Sequence, residues 1–179
     1  MKKLFLLCLV LVACSAFKRV NYVPHPYDYK DEVKCLAQNI YFEARDQKTK
    51  GQIAVALVTI NRVESKRFPN NICKVIHQAS RYSNGKLKRN LCHFSWYCDG
   101  KSDIPRDRIA WKVSQTIAKA MLRKTGAHIK HFGKKWDMED FLNGAKHYHR
   151  VDVNPYWNNK MIKVMQIGDH VFWKDYANE

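Results

Sequence analysis

Apolar positions fall into two kinds of period along the chain. Val33, Leu36, Ala37, Ile40, Tyr41 and Ala44 recur at helical spacing and make one stripe. A short polar turn separates them from Gln52 to Val63, which is apolar almost all round. The pattern predicts two joined helices, the second central and buried. Pro69 and Asn70 open a short helix that turns Ile72, Val75, Ile76 and Ala79 inward. Asp103 and Pro105 mark an N-cap region. Ile109, Ala110, Val113, Ile117, Ala120 and Met121 then form a helix stripe that Gly126 ends. Trp136 is a core candidate, and Asp137 to Leu142 supply one helical turn or two. Towards the C-terminus the period shortens to two. Ala145 to His149 reads as a strand with His147 and His149 on one face and Tyr148 on the other. His170 to Trp173, after a turn at Gly168, reads as its antiparallel partner, with Asn158 to Val164 as a helix between them.

The first residues belong to none of these elements. Lys2 and Lys3 precede an apolar run, Leu4 to Val12, too short for a mature membrane-spanning helix. It ends Leu11-Val12-Ala13-Cys14-Ser15, which resembles a bacterial lipobox. Residues 1–14 are therefore expected to be a lipoprotein-type signal peptide, with Cys14 lipidated; cleavage near Ala13 or Ala16 without a lipid is the alternative. Residues 15–30 carry Pro24 and Pro26, which disfavour helix, and read as a tether. Residues 31–179 suit a single domain with one sizeable core.

Charge narrows the partner. The chain holds 32 Lys and Arg against 16 Asp and Glu, a net +16. Without the leader about +14 remains, which favours an anionic partner. The cluster from Arg81 to Arg89 mixes basic and aromatic residues as nucleic-acid loops do, but an export signal argues against contact with cytoplasmic DNA. The cell envelope offers the better anions. Four cysteines outside the leader, Cys35, Cys73, Cys92 and Cys98, imply two disulfides in an exported domain. Three pairings are open. Cys92–Cys98 would close a tight loop around Phe94-Ser95-Trp96, and this pairing, with Cys35–Cys73 as its complement, is preferred. No CxxC spacing supports zinc in their place.

One acid stands out chemically. Glu43 sits at the edge of the first stripe, half turned to the core. Partial burial would raise its pKa towards that of a general acid working near neutral pH. A lone stripe-edge glutamate is more commonly a solvated or salt-bridged side chain, so the position alone does not decide. Its neighbourhood says more. Asn39-Ile40-Tyr41-Phe42-Glu43-Ala44-Arg45, Gly51 to Ala56, Asn61-Arg62-Val63, Phe68 to Ile76, Cys92 to Gly100, Ala145 to His149, Val153 to Trp157 and Gln166 to Phe172 follow one another as blocks. In that order they resemble the SleB/CwlJ-type cell wall hydrolases, which include spore cortex-lytic enzymes, from about Cys35 to Trp173.

The resemblance implies an α+β fold: a mainly helical, lysozyme-like or lytic-transglycosylase-like domain with a small antiparallel sheet. It implies an enzyme that cuts the peptidoglycan glycan strand after N-acetylmuramic acid, with Glu43 as catalytic group. Tyr41, Phe94, Ser95, Trp96, His147, Tyr148 and His149 are the expected substrate-binding residues. Lytic transglycosylation needs a single carboxyl group, which matches the lack of a firm second acid. Where the family continues Glu-Ala-Arg with Gly and an acidic residue, this chain has Asp46 and Gln47. A water-using muramidase aided by Asp46 or Asp99, an N-acetylmuramoyl-L-alanine amidase and a non-catalytic wall-binding protein are the rivals. His147, His149 and His170 raise the question of zinc, but no HExxH pattern accompanies them, and neither metal nor cofactor is expected. The expected place is the periplasmic side of the envelope, anchored to the outer membrane through the Cys14 lipid.

Overall fold

The computed structural model describes residues 29–123, 129–131, 134–136 and 140–176, the short middle stretches as backbone only. The leader, Cys14, most of the tether, Gly126 and the Trp136 side chain lie outside the described residues.

The chain is built around a buried helix. α1 (Tyr29–Ala44) begins with Asp31 and Glu32 in its first turn, where carboxylates suit the helix dipole. The tether therefore gives way to helix two residues sooner than its composition suggests. α2 (Thr49–Val63) is buried from Gly51 to Val63, as an all-round apolar pattern requires. α1 lays Leu36, Ala37, Ile40 and Ala44, all fully buried, into the same core. α3 (Ile72–Ile76) is capped by the Asn71 side chain, which accepts from the Lys74 N–H. Ile72, Val75 and Ile76 point inward as expected, whereas Ala79 has left the helix for a strand. The disulfides are Cys35–Cys73, joining α1 to α3, and Cys92–Cys98, closing the aromatic loop.

Two hairpins depart from the sequence expectation. β1 (Ala79–Arg81) and β2 (Leu87–Cys92) pair antiparallel within the basic stretch. β3 (Ile129–His131) and β4 (Lys134–Trp136) pair in a stretch for which no strand was expected. Between them runs α4 (Arg108–Met121), whose N-cap is Asp107, accepting from the Ile109 and Ala110 N–H groups, and not the Asp103 region. Its stripe is also rotated from the one expected. Ile109 is 80% exposed, while Ser114, Ile117, Ala118 and Met121 face the core.

The C-terminal sheet has the order β5-β7-β6, all antiparallel, from β5 (His147–Arg150), β6 (Ile162–Ile167) and β7 (His170–Lys174). β5 and β7 pair as the alternation implied, with Tyr148 opposite Phe172. The helix expected over Asn158 to Val164 is instead a short 3-10 turn, Asn158–Lys160, followed by β6. β6 slips register between Lys163 and Met165, so its side chains do not alternate cleanly.

One link joins the turn after α1 to the tip of this sheet. Gln47 donates from Nε2 to Asp169 Oδ2 at 3.0 Å, and its Oε1 accepts from the Asp169 N–H at 3.1 Å. Gly168, at φ +55°, leaves room for it; a Cβ there would meet Gln47 Oε1. Gln47 thus braces the turn after α1 against the sheet.

Candidate active site

Polar residues of α2 fix where β5 begins. Asn61 donates to the Ala145 carbonyl at 3.1 Å and to Asp140 Oδ2 at 3.2 Å. Arg62 Nε donates to the Lys146 carbonyl at 2.8 Å. Two residues further on, the Tyr148 hydroxyl donates to Glu43 Oε2 at 2.9 Å. The last turn of α1, the buried α2 and the sheet therefore converge on one carboxyl group.

Glu43 is half-buried on the wall of a hollow of about 590 Å³. Phe42, Arg62, Ser95, Tyr148 and His170 share that wall. Burial raises the Glu43 pKa above its ordinary value; the Tyr148 hydrogen bond and the Arg62 charge pull it back without cancelling the rise. Tyr148, buried against Glu43, is pushed well above the usual phenol value, so its hydroxyl stays a donor at neutral pH. A second hollow of about 530 Å³ shares Phe42, Arg45 and Ser95 with the first and continues past Tyr41 and Trp96 to Asp103. Together the two make an elongated groove with Glu43 on its wall.

The expected binding residues divide. Ser95, Tyr148 and His149 line the hollow with Glu43. Tyr41 and Trp96 edge the second hollow, but both are largely committed to structure. The Tyr41 hydroxyl accepts from the Arg106 and Asp107 N–H groups at the start of α4. Trp96 is 7% exposed, stacks on Phe42 and donates to Asn39 Oδ1 at 2.9 Å. Phe94, 2% exposed, lies in the core beneath the Arg62 guanidinium and lines neither hollow. Ser95, between the two aromatics, lines both hollows.

His147 faces away from Glu43, beside Phe68, Trp157 and Asp175. Burial and the nearby Arg62 lower its pKa to about 4 against the pull of Asp175, so it is neutral at neutral pH. His149 stacks on Trp173, while His170 packs edge-on against the Tyr148 ring. The three histidines do not converge, and among the described residues no group of three or more His, Cys, Asp and Glu could hold a metal ion. Sequence reasoning missed Arg62 and His93 as groove residues. A cation next to Asn61, at the end of the apolar run of α2, was the available signal for the first.

A helical domain whose small sheet presses a tyrosine onto a half-buried glutamate at a groove belongs to the lysozyme-like fold class. The catalytic domain of the germination-specific lytic transglycosylase SleB from Bacillus anthracis superposes with a TM-score of 0.56 at 25% identity, covering 85% of this chain and 100% of that one. The catalytic domain of the Bacillus cereus SleB protein gives a TM-score of 0.54 at 25% identity, covering 88% of this chain and 98% of that one. The family model described as Cell Wall Hydrolase matches residues 46–173, and the chain belongs to that family. The matched stretch begins just after Glu43. The spore cortex-lytic enzyme of Halalkalibacterium halodurans is 43% identical over 151 residues, 82% of this chain and 36% of that protein. The chain thus spans about a third of that relative's length.

Proposed function

We propose that this protein cleaves the glycan strand of peptidoglycan after N-acetylmuramic acid, by lytic transglycosylation with Glu43 as the single acid and base. The observation that carries the reading is the environment of Glu43: half-buried in a groove, its proton affinity raised by burial, its orientation fixed by Tyr148. The hydrogen bond occupies Oε2, which leaves Oε1 to carry the transferable proton. In the first step Glu43 gives that proton to the bridging oxygen as the bond from C1 of the muramic acid breaks. In the second, the carboxylate takes the proton of the same sugar's C6 hydroxyl as its oxygen closes on C1. The product is a 1,6-anhydro end, and no second carboxylate is used.

Ser95, His149 and the rim of the second hollow are suited to hold sugars on either side of the cut. The net charge of +16 favours a wall rich in carboxylates. Export and a lipid on Cys14 would place the domain against its substrate, and the Lys2-Lys3 start and the lipobox-like stretch support that placement. A water-using muramidase is the second reading, because Asp46 lines the same hollow as Glu43. Mass spectra of fragments released from purified sacculi separate the cases. Anhydro-muramic ends are expected. Reducing ends would mean hydrolysis, free stem peptides an amidase, and binding without soluble fragments a non-catalytic protein.

A further inference from the structure

Arg62 is held in a way that its helix does not require. Arg62 is 7% exposed, and its guanidinium lies over the Phe94 ring at 4.8 Å and the Phe68 ring at 5.4 Å. Its Nε is fixed to the Lys146 carbonyl at 2.8 Å. Nη1 is buried and has no hydrogen-bond partner among the described residues. The same side chain lines the hollow of Glu43 and Tyr148. A buried cation with a spare donor is unfavourable where nothing offsets its charge, and the Glu43 carboxylate is the acid that shares its hollow.

We propose that Arg62 is a positioning residue for the reaction, its guanidinium charge across the shared hollow steadying the Glu43 carboxylate formed when the proton leaves. The inference rests on the glycan-cleaving reading above. As the Glu43 O–H bond breaks, the proton goes to the bridging oxygen, and the C1–O bond breaks with its electron pair on that oxygen. Negative charge is left on Glu43 inside a site that disfavours it. Arg62 holds that carboxylate in place until the C6 hydroxyl attacks C1 and returns its proton to Glu43, which restores the starting state. The electrostatics agree with the geometry. Burial raises Glu43 and lowers Arg62, and each is pulled back first by Tyr148 and then by the charge of the other.

Other titrating and charged groups face the same hollow: Arg45 and Asp46 from the turn after α1, His93 beyond β2, His149 and Arg150 of β5 and His170 of β7. A pH-dependent signal must therefore be assigned by removing Glu43. The test follows the Arg62 side-chain nitrogen resonances of the intact protein as pH rises. They are expected to move with the midpoint of the Glu43 carboxyl signal, and this movement should vanish in Glu43→Gln. Arg62 resonances that stay fixed while Glu43 titrates overturn the proposal. A kinetic arm uses Arg62→Gln and Arg62→Lys. In Arg62→Gln, kcat should fall by about tenfold or more, and the alkaline limb of kcat/KM should move to higher pH. In Arg62→Lys, which keeps the charge, the limb should move less. A uniform loss at every pH with the limb unmoved marks a structural role and overturns it too. Should Arg62→Gln fail to fold, the resonance measurement on the unmodified protein decides. Failure of the glycan-cleaving reading would show separately, as lytic activity retained in Glu43→Gln.

Discussion

Helix α1 carries one inward glutamate near each end, and the fold uses them differently. Glu32 is 1% exposed, and its Oε1 accepts from the Ile72 N–H at 3.1 Å and from the Asn71 side chain. It thereby serves an N–H at the start of α3 that the helix itself leaves unpaired, and it ties α1 to α3. It lines neither of the hollows that meet at Glu43. Glu43 receives one phenolic hydrogen bond, and its other side is open to the groove. Burial alone therefore does not mark a catalytic acid. Glu32 is committed to an α3 N–H and a side-chain amide, whereas the glutamate proposed as the acid keeps one side open to the groove.

That contrast is sharpest under substitution. Glu43→Gln should lower release of soluble fragments from sacculi by about 10²–10⁴-fold, the range of a general acid–base group. The variant should melt at the same temperature as the parent or higher. The sign follows from the raised pKa. The folded state holds the Glu43 proton more tightly than the unfolded chain, so stability is lost as pH rises through the folded value. A neutral amide removes that loss, and paired melts near pH 4.5 and pH 7 should show it. Glu32→Ala should do the reverse. It leaves two donors without their acceptor and should cost about 3 kcal/mol in urea unfolding, with specific activity of the folded fraction unchanged. A comparable loss of activity there would break the comparison. Tyr148→Phe is expected to be mildest, about tenfold in kcat. Removing the hydrogen bond that lowers the Glu43 pKa should also move the alkaline limb of the pH profile upward.

Much of the helical half was legible because its pattern is a direct image of burial. Leu36, Ile40 and Ala44 are inward as their helical spacing requires, and α2 is buried on all sides from Gly51 to Val63. The sheet was half legible. Tyr148 alternates cleanly with its histidines, but the register slip in β6 hides the period of two, and the segment then resembles a helix. The β1–β2 hairpin escaped because neither strand buries a face. Within α4, Ile109 drew the stripe the wrong way, and the inward Ser114, which donates to the Ala110 carbonyl, carries no apolar signal. At the site, Glu43 was singled out by its place on a stripe and by the resemblance, while Arg62 was hidden by its own helix. Its placement depends on Lys146 and Phe94, which sequence spacing does not bring near it.

The central claim is that Glu43 keeps its proton where an ordinary glutamate has lost it. Carbon-13 titration of its side-chain carboxyl in the folded, substrate-free protein tests this without relying on any variant's activity. The account predicts a midpoint above the 4.5 of an unperturbed glutamate. A midpoint at or below that value would contradict it, because the group would then be spent as an acid before any sugar arrived.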